Sequence, residues 1–133
     1  MKNTLEVVVG LVFNANQEIL LAWRGPEKSP GNCWEFPGGK IEQGETQYQA
    51  ICRELKEEIN LEVLKAQPGN AVLHQYETKK VILYPWWIEK YAGNLYGAEG
   101  QKIIWVNVKQ LKDFPLPAAN YALLDLLPVP LLR

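Results

Sequence analysis

The sequence predicts an α+β fold in which helices flank a mixed β-sheet. Several stretches rich in β-branched and apolar residues are typical of strands, and short turns join most of them. Two stretches with apolar residues at helical spacing interrupt this series. Strands joined by hairpins, without strict strand–helix alternation, favour a mixed sheet with helices packed on it. We expect residues 1–133 to form a single domain, because 133 residues suit one domain.

The strand predictions rest on β-branched and apolar composition between turn-forming residues. The predicted strands are residues 5–13, 18–24, 33–36, 71–77, 80–90 and 102–108. The first two are predicted to form a hairpin, and 71–77 and 80–90 a second one around residues 78–79. Pro85 predicts that its strand lies at a sheet edge or is bulged there, because proline donates no backbone hydrogen bond. Gly-rich loops are expected at 25–32 and 91–100.

The first helix is predicted to begin after Thr46 and to end at Asn60. Thr46 and Gln49 match a capping box, in which two side chains satisfy free backbone N–H groups. Asn60 stands where helices commonly turn left-handed, a conformation that Asn tolerates well. Apolar residues recur at helical spacing and predict the buried stripe: Tyr48, Ile51 or Cys52, Leu55 and Ile59.

The second helix is predicted from Pro117 to Leu127, because proline suits a helix start. Pro128 and Pro130 are expected to end it. Its four leucines could form a dimer interface, but docking on the sheet explains them more simply: Leu123, Leu124, Leu126 and Leu127. We therefore expect a monomer.

Composition and charge exclude several classes of protein. The net charge of −1 argues against a binder of nucleic acid polymers, which would be basic. Cys33 and Cys52 have no second Cys or His at metal-ligand spacing, and predict two buried free thiols of a reducing compartment. The N-terminal residues show no signal-peptide pattern, and the apolar run 81–88 is too short to cross a bilayer. We expect a cytoplasmic protein without a membrane partner.

Three glutamates are predicted to share one face of the first helix. Glu54, Glu57 and Glu58 are spaced i, i+3 and i+4, so their charges repel one another. Arg53 and Lys56 offset part of this repulsion, and a hard divalent cation with oxygen ligands would offset more. An acidic run of this kind, taken alone, is more often a solvated helix face.

A longer pattern around this run is more specific. Gly39 is followed after five residues by Glu45, and then after seven by the segments 53–55, 57–58 and 60–61. This resembles the signature of the Nudix hydrolase family, G-x5-E-x7-R-E-U-x-E-E-x-G-U with U aliphatic. Eight of its nine specified positions match, which chance alone gives in on the order of one chain in a hundred thousand. The departure is Asn60 in place of Gly, and both residues tolerate a positive φ.

The resemblance extends to nearly the whole chain and points to the MutT subgroup, which removes oxidised guanine nucleotides. The similar features are the segment 34–45, Arg24, the stretch 97–101 and Asn120. It implies the Nudix fold, an α/β/α sandwich with a mixed sheet flanked by helices. It also implies a metal-dependent nucleoside triphosphate pyrophosphohydrolase that converts 8-oxo-dGTP to 8-oxo-dGMP and pyrophosphate.

The resemblance implies Mg²⁺ or Mn²⁺ as cofactor, because a triphosphate repels an incoming nucleophile and a cation offsets that charge. The implied metal ligands are the carbonyl of Gly38 and four carboxylates: Glu54, Glu57, Glu58 and Glu99. The implied catalytic residues are Glu54, Glu57, Glu99 and Arg53, with Arg53 and Glu45 supporting the site. Glu54 and Glu99 both remain candidates for the general base.

The substrate is expected to be a small nucleotide. Three residues are implied to contact its phosphates or position it: Arg24, Lys40 and Lys79. Gly39 is also implied to bind the substrate. Four more are implied to line the base pocket: Phe36, Tyr76, Val81 and Leu83. Asn120 is implied to close this pocket and to pair with O6 and N7–H of 8-oxoguanine, since its amide offers a donor and an acceptor. The alternative for Asn120 is an ordinary helix N-cap.

Other prominent residues have simpler explanations. His74 is expected to be a packed strand residue, and Trp86 and Trp87 to be core residues that face opposite sides of the sheet. Two other functions remain open at this point. One is a Nudix hydrolase for another substrate, such as another modified nucleotide, ADP-ribose or a dinucleotide polyphosphate, because the signature fixes the chemistry only. The other is a non-catalytic Nudix-like nucleotide-binding domain.

Overall fold

The structure is a computed structural model that describes residues 3–28 and 30–127. Its strands are β1 Asn3–Val12, β2 Glu18–Arg24, β3 Cys33–Glu35, β4 Gly38–Lys40, β5 Glu62–Pro68, β6 Val72–Gln75, β7 Lys79–Ala92 and β8 Ile103–Asn107. Its helices are α1 Gln47–Ile59 and α2 Ala118–Leu123, with 3-10 turns at Val108–Asp113 and Leu124–Leu126.

The strands form two sheets. The larger sheet has the order β4-β1-β7-β5, and β6 also pairs with β7. It is mixed, because β1 and β7 are parallel whereas the other neighbours are antiparallel. The smaller sheet has the order β3-β2-β8 and is antiparallel. The predicted α+β architecture, with a mixed sheet flanked by helices, is confirmed.

Strand β1 lies between two hydrophobic clusters. Val8 and Val12 pack into the cluster under α1, whereas Val9 and Leu11 pack into the cluster that includes α2. This alternation follows from the two-residue period of a strand, and it explains the nearly continuous apolar run in β1. Gly10 lies in the same strand. A Cβ at Gly10 would lie 3.0 Å from the Leu55 methyl carbons, so glycine allows α1 to approach β1 closely.

Helix α1 has the predicted ends. The Thr46 side chain accepts a hydrogen bond from the Gln49 N–H, and the Gln49 side chain accepts one from the Thr46 N–H. Asn60 is left-handed with φ 57°. The predicted buried stripe is confirmed for Ile51, Leu55 and Ile59 but is wrong for Tyr48, which is 43% exposed at the start of the helix.

The predicted first hairpin is wrong, because β1 and β2 belong to different sheets. Both edges of β1 are occupied by β4 and β7, and β2 is held between β3 and β8. Among the described residues, the expected pairing is limited to the bridge between Phe13 and Ile19 and to the bond from Asn14 N–H to the Glu18 carbonyl. The second hairpin is confirmed, with Gln75 paired to Lys80. Strands β4 and β5 were not predicted, because glycine-rich and polar sequences carry little strand signal.

The expectation for Pro85 is also wrong, because β7 is central. Pro85 pairs with Val9 of β1 on one side. On its other side, β5 ends at Pro68 opposite Trp86, and β6 begins at Val72 opposite Leu83. The Pro85 carbonyl accepts from Gly69 N–H in the connection between them. Proline is tolerated there because the backbone N–H that it lacks would face the connection between β5 and β6, where neither strand pairs with β7.

The second helix is shorter than predicted, since α2 ends at Leu123 and a 3-10 turn follows. Leu123 and Leu127 are buried in the cluster beside α2, as expected for docking on the sheet. The predicted stops at Pro128 and Pro130 lie outside the described residues. Cys33 is buried as predicted, whereas Cys52 is only half-buried. Every helix in the described part of the chain is too short or too polar to span a bilayer.

Candidate active site

Arg53 is the centre of an ion-pair network on α1. Its Nε and Nη2 donate to the two carboxylate oxygens of Glu45 at 2.7 and 2.9 Å, which makes a bidentate pair. Its Nη1 donates to Glu54 at 2.8 Å and to Glu57 at 3.4 Å, and Nη2 also donates to the Lys40 carbonyl at 3.0 Å. Hydrogen bonds from Arg53 lower the pKa of Glu45 to about 2. The guanidinium therefore fixes several site residues at once.

Strand β4 lies against the carboxylate face of α1. The Gly38 N–H donates to Glu58 at 3.1 Å. A Cβ at Gly39 would meet the Glu54 carboxyl group, so a larger residue there would displace that side chain. These two glycines thus bring the backbone of β4 against the acidic helix face.

The loop after β7 carries Glu99 to the same region. The loop is anchored on the last turn of α1, where Ala98 N–H and Gln101 Nε2 both donate to the Glu58 carbonyl at 2.9 Å. Tyr96 N–H donates to the Ile59 carbonyl. These bonds satisfy helix carbonyls that would otherwise lack partners. Gln101 also accepts from Glu99 N–H, so it is a positioning residue that the sequence did not single out.

Burial and neighbouring negative charges raise the pKa of Glu54 and Glu58 on this face. Burial raises the pKa of Glu58 to about 8, and the charges of Glu35, Glu54 and Glu99 add to that effect. Burial likewise raises the pKa of Glu54, with further contributions from Glu57 and Glu99. Their mutual repulsion is the condition that a divalent cation would relieve, and carboxylate oxygens are ligands that Mg²⁺ and Mn²⁺ prefer.

The carboxylates do not form a preassembled metal cage. Among the described residues, no three acidic, thiol or imidazole side chains converge closely enough to hold an ion. Glu58 accepts from Gly38, Glu54 accepts from Arg53, and the Glu57 side chain is 58% exposed. The donor set fits a hard cation in chemistry and charge, and these side chains would turn toward the ion when it binds.

A cavity of about 300 Å³ adjoins this face. It is lined by Arg24, Lys40 and Lys79, which are predicted to contact the phosphates or position the substrate, and by Gly39, which is predicted to bind the substrate. It is also lined by the predicted base-pocket residues Phe36, Tyr76, Val81, Leu83 and Asn120. All nine predicted substrate-binding residues therefore share one cavity, and Gly38 borders it as well.

Asn120 does not cap a helix, so that alternative is wrong. The N-cap of α2 is Pro117, which makes no side-chain capping bond. The Asn120 side chain is 8% exposed, and its Oδ1 accepts from Phe36 N–H at 3.1 Å. The Tyr76 hydroxyl accepts from Ala119 N–H at 3.1 Å. These two hydrogen bonds hold α2 against Phe36 and Tyr76, which line the cavity.

Glu35 is a site residue that the sequence did not single out. It lines the cavity that contains Asn120 and also a second cavity of about 430 Å³ that contains Glu58 and Glu99. Its Oε2 accepts from Arg24 Nη1 at 3.0 Å. Burial raises the pKa of Glu35, and Arg24 counteracts that rise. The sequence signal that could have identified Glu35 is a carboxylate in an otherwise apolar strand, next to Phe36.

The residues with simpler explanations lie outside the cavity. His74 packs edge-on against Tyr76 with ring centroids 4.6 Å apart. Trp86 lies in the cluster under α1 and Trp87 packs against the opposite cluster, as the strand alternation predicted.

The fold, the glycine-bordered carboxylate helix and the adjoining cavity together agree with one family. The NUDIX domain model matches residues 8–126, and the chain belongs to the Nudix family. Nudix hydrolases depend on divalent metals in general.

Individual proteins and solved structures are similar to this chain over most of its length. The chain is 34% identical to the 8-oxo-dGTP diphosphatase of Escherichia coli K12 over 116 residues, 87% of this chain and 90% of that protein. It is 30% identical to the CTP pyrophosphohydrolase of the same organism over 118 residues, 89% of this chain and 87% of that protein. A solved structure from work on MutT of Aliivibrio salmonicida and Vibrio cholerae superposes with a TM-score of 0.80 and 32% identity, covering 93% of this chain and 96% of that one.

Proposed function

We propose that this protein hydrolyses 8-oxo-dGTP to 8-oxo-dGMP and pyrophosphate with the help of a divalent cation. The observation that carries the proposal is the shared cavity. All nine residues expected to bind the nucleotide line it. It reaches Gly38 and Gly39, which lie against Glu58 and Glu54 of the carboxylate helix. The relatives named 8-oxo-dGTP diphosphatase support the same substrate.

The metal ligands in this proposal are the Gly38 carbonyl and four carboxylates: Glu54, Glu57, Glu58 and Glu99. A bound Mg²⁺ or Mn²⁺ supplies charge neutralisation of the triphosphate and activation of water. Carboxylate and carbonyl oxygens suit either cation. Glu58 accepts from Gly38 N–H, a bond that aligns strand β4 with the helix and so orients the neighbouring carbonyl.

Arg53 organises the carboxylates and does not touch the substrate in this proposal. Its guanidinium is engaged by Glu45, Glu54 and the Lys40 carbonyl. Glu54 and Glu99 remain the candidate bases. Glu54 is hydrogen-bonded to Arg53, whereas Glu99 lies on a loop whose backbone is held by Gln101. Burial raises the pKa of Glu54, which suits a group that has to take up a proton.

The base is held between apolar and polar walls. Val81 and Leu83 provide apolar surface, and Phe36 is buried beside them. Asn120 Nδ2 is directed by the bond that Oδ1 makes to Phe36 N–H, so it can donate to O6 of a purine. The second lone pair of Oδ1 can accept from N7–H, which 8-oxoguanine has and guanine lacks. Arg24 and Lys79 line the same cavity, and in this proposal they contact the phosphates.

The test is turnover of 8-oxo-dGTP beside dGTP with Mg²⁺, measured as pyrophosphate release. We expect kcat/KM for the oxidised nucleotide to exceed that for dGTP by at least tenfold. Asn120→Ala should remove most of this preference, because it removes the groups that meet N7–H and O6. Equal turnover of the two nucleotides by the unaltered protein would contradict the substrate assignment.

CTP is the second candidate substrate, because a CTP pyrophosphohydrolase is among the relatives. CTP should be included in the same assay, and a higher kcat/KM for CTP than for 8-oxo-dGTP would favour it.

A non-catalytic binding domain is tested by Glu57→Gln, which should abolish hydrolysis while leaving the fold intact. We further propose a cytoplasmic monomer of one domain, and light scattering after size exclusion checks the oligomeric state.

A further inference from the structure

Asn60, the one departure from the family signature, makes side-chain contacts that glycine could not make. Its Nδ2 donates to the Asn94 carbonyl at 3.2 Å, and its Oδ1 accepts from Lys56 Nζ at 3.2 Å. The donor end of the amide therefore faces a carbonyl and its acceptor end faces an ammonium group, as the chemistry of each end requires. The left-handed end of α1 needs only a residue that tolerates a positive φ, so it does not account for these contacts.

Asn94 belongs to the loop between β7 and β8 that carries Glu99, here called the Glu99 loop (residues 93–102). The loop leaves β7 in contact with the end of α1, because a Cβ at Gly93 would meet the Asn60 carbonyl oxygen. Asn60 therefore touches the beginning of the Glu99 loop both through its backbone and through its side chain.

Alternate residues of the Glu99 loop bond to successive residues at the end of α1. The pairs in this series are Asn94 with Asn60, Tyr96 with Ile59, and Ala98 with Glu58. The series gives the loop a defined register on the helix. Glu99 follows the last pair directly, and its side chain lines the same cavity as Glu58. The register therefore determines where the Glu99 carboxylate lies relative to that of Glu58.

Glu99 is held from both sides. After Glu99, the Gln101 side chain donates to the Glu58 carbonyl and accepts from Glu99 N–H. Before it, the series of bonds begins at Asn60. The Tyr96 and Ala98 bonds join backbone groups, which any sequence has. The first bond of the series depends instead on the Asn60 side chain, so this residue type decides whether the beginning of the loop is fixed.

Resting on the function proposed above, in which Glu99 is a metal ligand, we propose that Asn60 is a positioning residue for Glu99. Its amide fixes the register of the Glu99 loop on the end of α1, and so holds the Glu99 carboxylate near that of Glu58. Glycine at this position would preserve the left-handed end of the helix but would not fix the loop.

Amide hydrogen exchange, followed residue by residue by NMR, measures how often the Glu99 loop opens. Asn60→Gly should speed the exchange of Tyr96 and Ala98 N–H by about threefold to tenfold, the value of one net hydrogen bond. Asn94→Ala is the matched control, because it keeps the backbone carbonyl that accepts from Asn60. It should leave both exchange rates unchanged. Equal exchange in Asn60→Gly and the unaltered protein would overturn the proposal.

A second variant, Asn60→Asp, separates the lost donor from the greater backbone freedom of glycine. Aspartate has nearly the same shape and tolerates the left-handed region, but its carboxylate cannot donate to the Asn94 carbonyl. We expect it to speed exchange at Tyr96 and Ala98 as well. Exchange as slow as in the unaltered protein would show that glycine acts through the backbone, and the role of the amide would then be wrong.

Mg²⁺ affinity, measured by titration calorimetry, tests whether the register matters for Glu99. Asn60→Gly should weaken Mg²⁺ binding by about threefold to tenfold, the same factor by which the loop opens. In a Glu99→Gln background it should have no further effect, because the group that Asn60 positions is then gone. The same loss in both backgrounds would indicate a merely structural role and would overturn the proposal. Unchanged affinity in Asn60→Gly would overturn it too.

Failure of the proposed function has a different signature. If Glu99→Gln binds Mg²⁺ as tightly as the unaltered protein, Glu99 is not a metal ligand, and that part of the proposed function is wrong. Amide exchange in the metal-free protein does not depend on this outcome. Faster exchange in both Asn60→Gly and Asn60→Asp, with Asn94→Ala unchanged, would still establish that the Asn60 amide fixes the loop that carries Glu99.

Discussion

Arg53 shows how one guanidinium can hold several carboxylates in one arrangement. Four hydrogen-bonding partners of its guanidinium lie on three segments: the loop before α1, the helix itself and strand β4. A lysine at this position could not reproduce the bidentate pair with Glu45, because an ammonium group lacks the planar fork of donors. The arrangement of the carboxylates therefore depends on the guanidinium geometry and not only on its charge.

Arg53→Lys should lower kcat/KM by about 10- to 100-fold, the usual cost of losing a group that orients metal ligands. The measurement is steady-state hydrolysis with Mg²⁺, together with the thermal unfolding midpoint to show that the fold persists. Lys56→Ala is the control, because it removes a positive charge from the same helix without touching Glu45. Full activity of Arg53→Lys would refute the organising role.

Glu58 predicts a pH dependence of metal binding. Burial raises its pKa from the ordinary value of 4.5 to about 8, so the metal-free protein holds this carboxyl protonated at neutral pH. A metal ligand must be ionised, so binding releases a proton, and Mg²⁺ affinity should rise with pH and level off above about 8. Calorimetry in buffers of different ionisation enthalpy measures that proton, and Glu58→Gln should remove it.

The same group has the opposite effect on the metal-free fold. Its folded-state pKa lies above its unfolded value, so its contribution to stability is complete below 4.5 and is lost as the pH rises through about 8. Urea unfolding with a chelator present should show this loss in the unaltered protein and not in Glu58→Gln. A metal affinity that does not change between pH 6 and 8 would contradict both statements.

At the scale of single residues, the resemblance singled out side chains that the fold brings together. The nine residues expected to bind the substrate were carried over from it, and they share one cavity. Glu35 was not singled out, because a lone glutamate in a strand gives no spacing pattern. Gln101 was missed for a related reason: its role is to bond the Glu58 carbonyl, and backbone partners are invisible in a sequence.

At the scale of elements, α1 was the most predictable part of the chain. The helical spacing of its apolar residues, its capping box and its left-handed end all have local sequence signals. The capping box and the left-handed end are confirmed, and the spacing is confirmed for Ile51, Leu55 and Ile59. Strands β4 and β5 lack such signals. β4 is a strand because Val8 and Val9 of β1 pair with its glycines. β5 is one because β7 pairs with it along Glu62–Pro68. Partners distant in sequence decide these elements, so local propensity did not predict them.

Asn60 tests the one departure from the family signature. Asn60→Gly should leave stability unchanged within a few tenths of a kcal/mol, because glycine adopts φ 57° without strain. Asn60→Ala should destabilise the protein by about 1 kcal/mol, because a Cβ without a hydrogen-bonding side chain disfavours the left-handed region. Urea unfolding curves of the three proteins provide the measurement. Equal stability of Asn60→Ala and Asn60→Gly would show that the left-handed end of α1 is not a constraint.

At the scale of the whole molecule, the layers were predicted but the partition into two sheets was not. The short turn between β1 and β2 suggested a hairpin, and the residues at that turn do bridge between Phe13 and Ile19. Strands β1 and β2 then separate, because β1 pairs with β4 and β7 whereas β2 pairs with β3 and β8. Such competition among strand pairings depends on the entire chain, and no single segment contains the information.

Metal binding should stabilise the whole fold. A ligand that binds the folded chain raises its stability by about 2.7 kcal/mol when present at a hundred times its dissociation constant. Mg²⁺ should therefore raise the thermal unfolding midpoint by several degrees, as followed by scanning calorimetry. Glu54→Gln combined with Glu57→Gln should abolish the increase, and Ca²⁺ serves as a comparison cation. An unchanged midpoint at saturating Mg²⁺ would argue against metal binding at this face.

The hydrogen bond between Phe36 and Asn120 spans 84 residues, and this has a consequence for the order in which the protein is made. A chain emerging from the ribosome exposes the glutamate helix and the loop with Glu99 well before α2. Until α2 docks, Asn120 is absent from the cavity and Phe36 N–H lacks this partner. An incompletely synthesised chain therefore carries the proposed metal ligands without Asn120, the group proposed to read the base. On that proposal, base selectivity arises only when α2 docks against residues made much earlier.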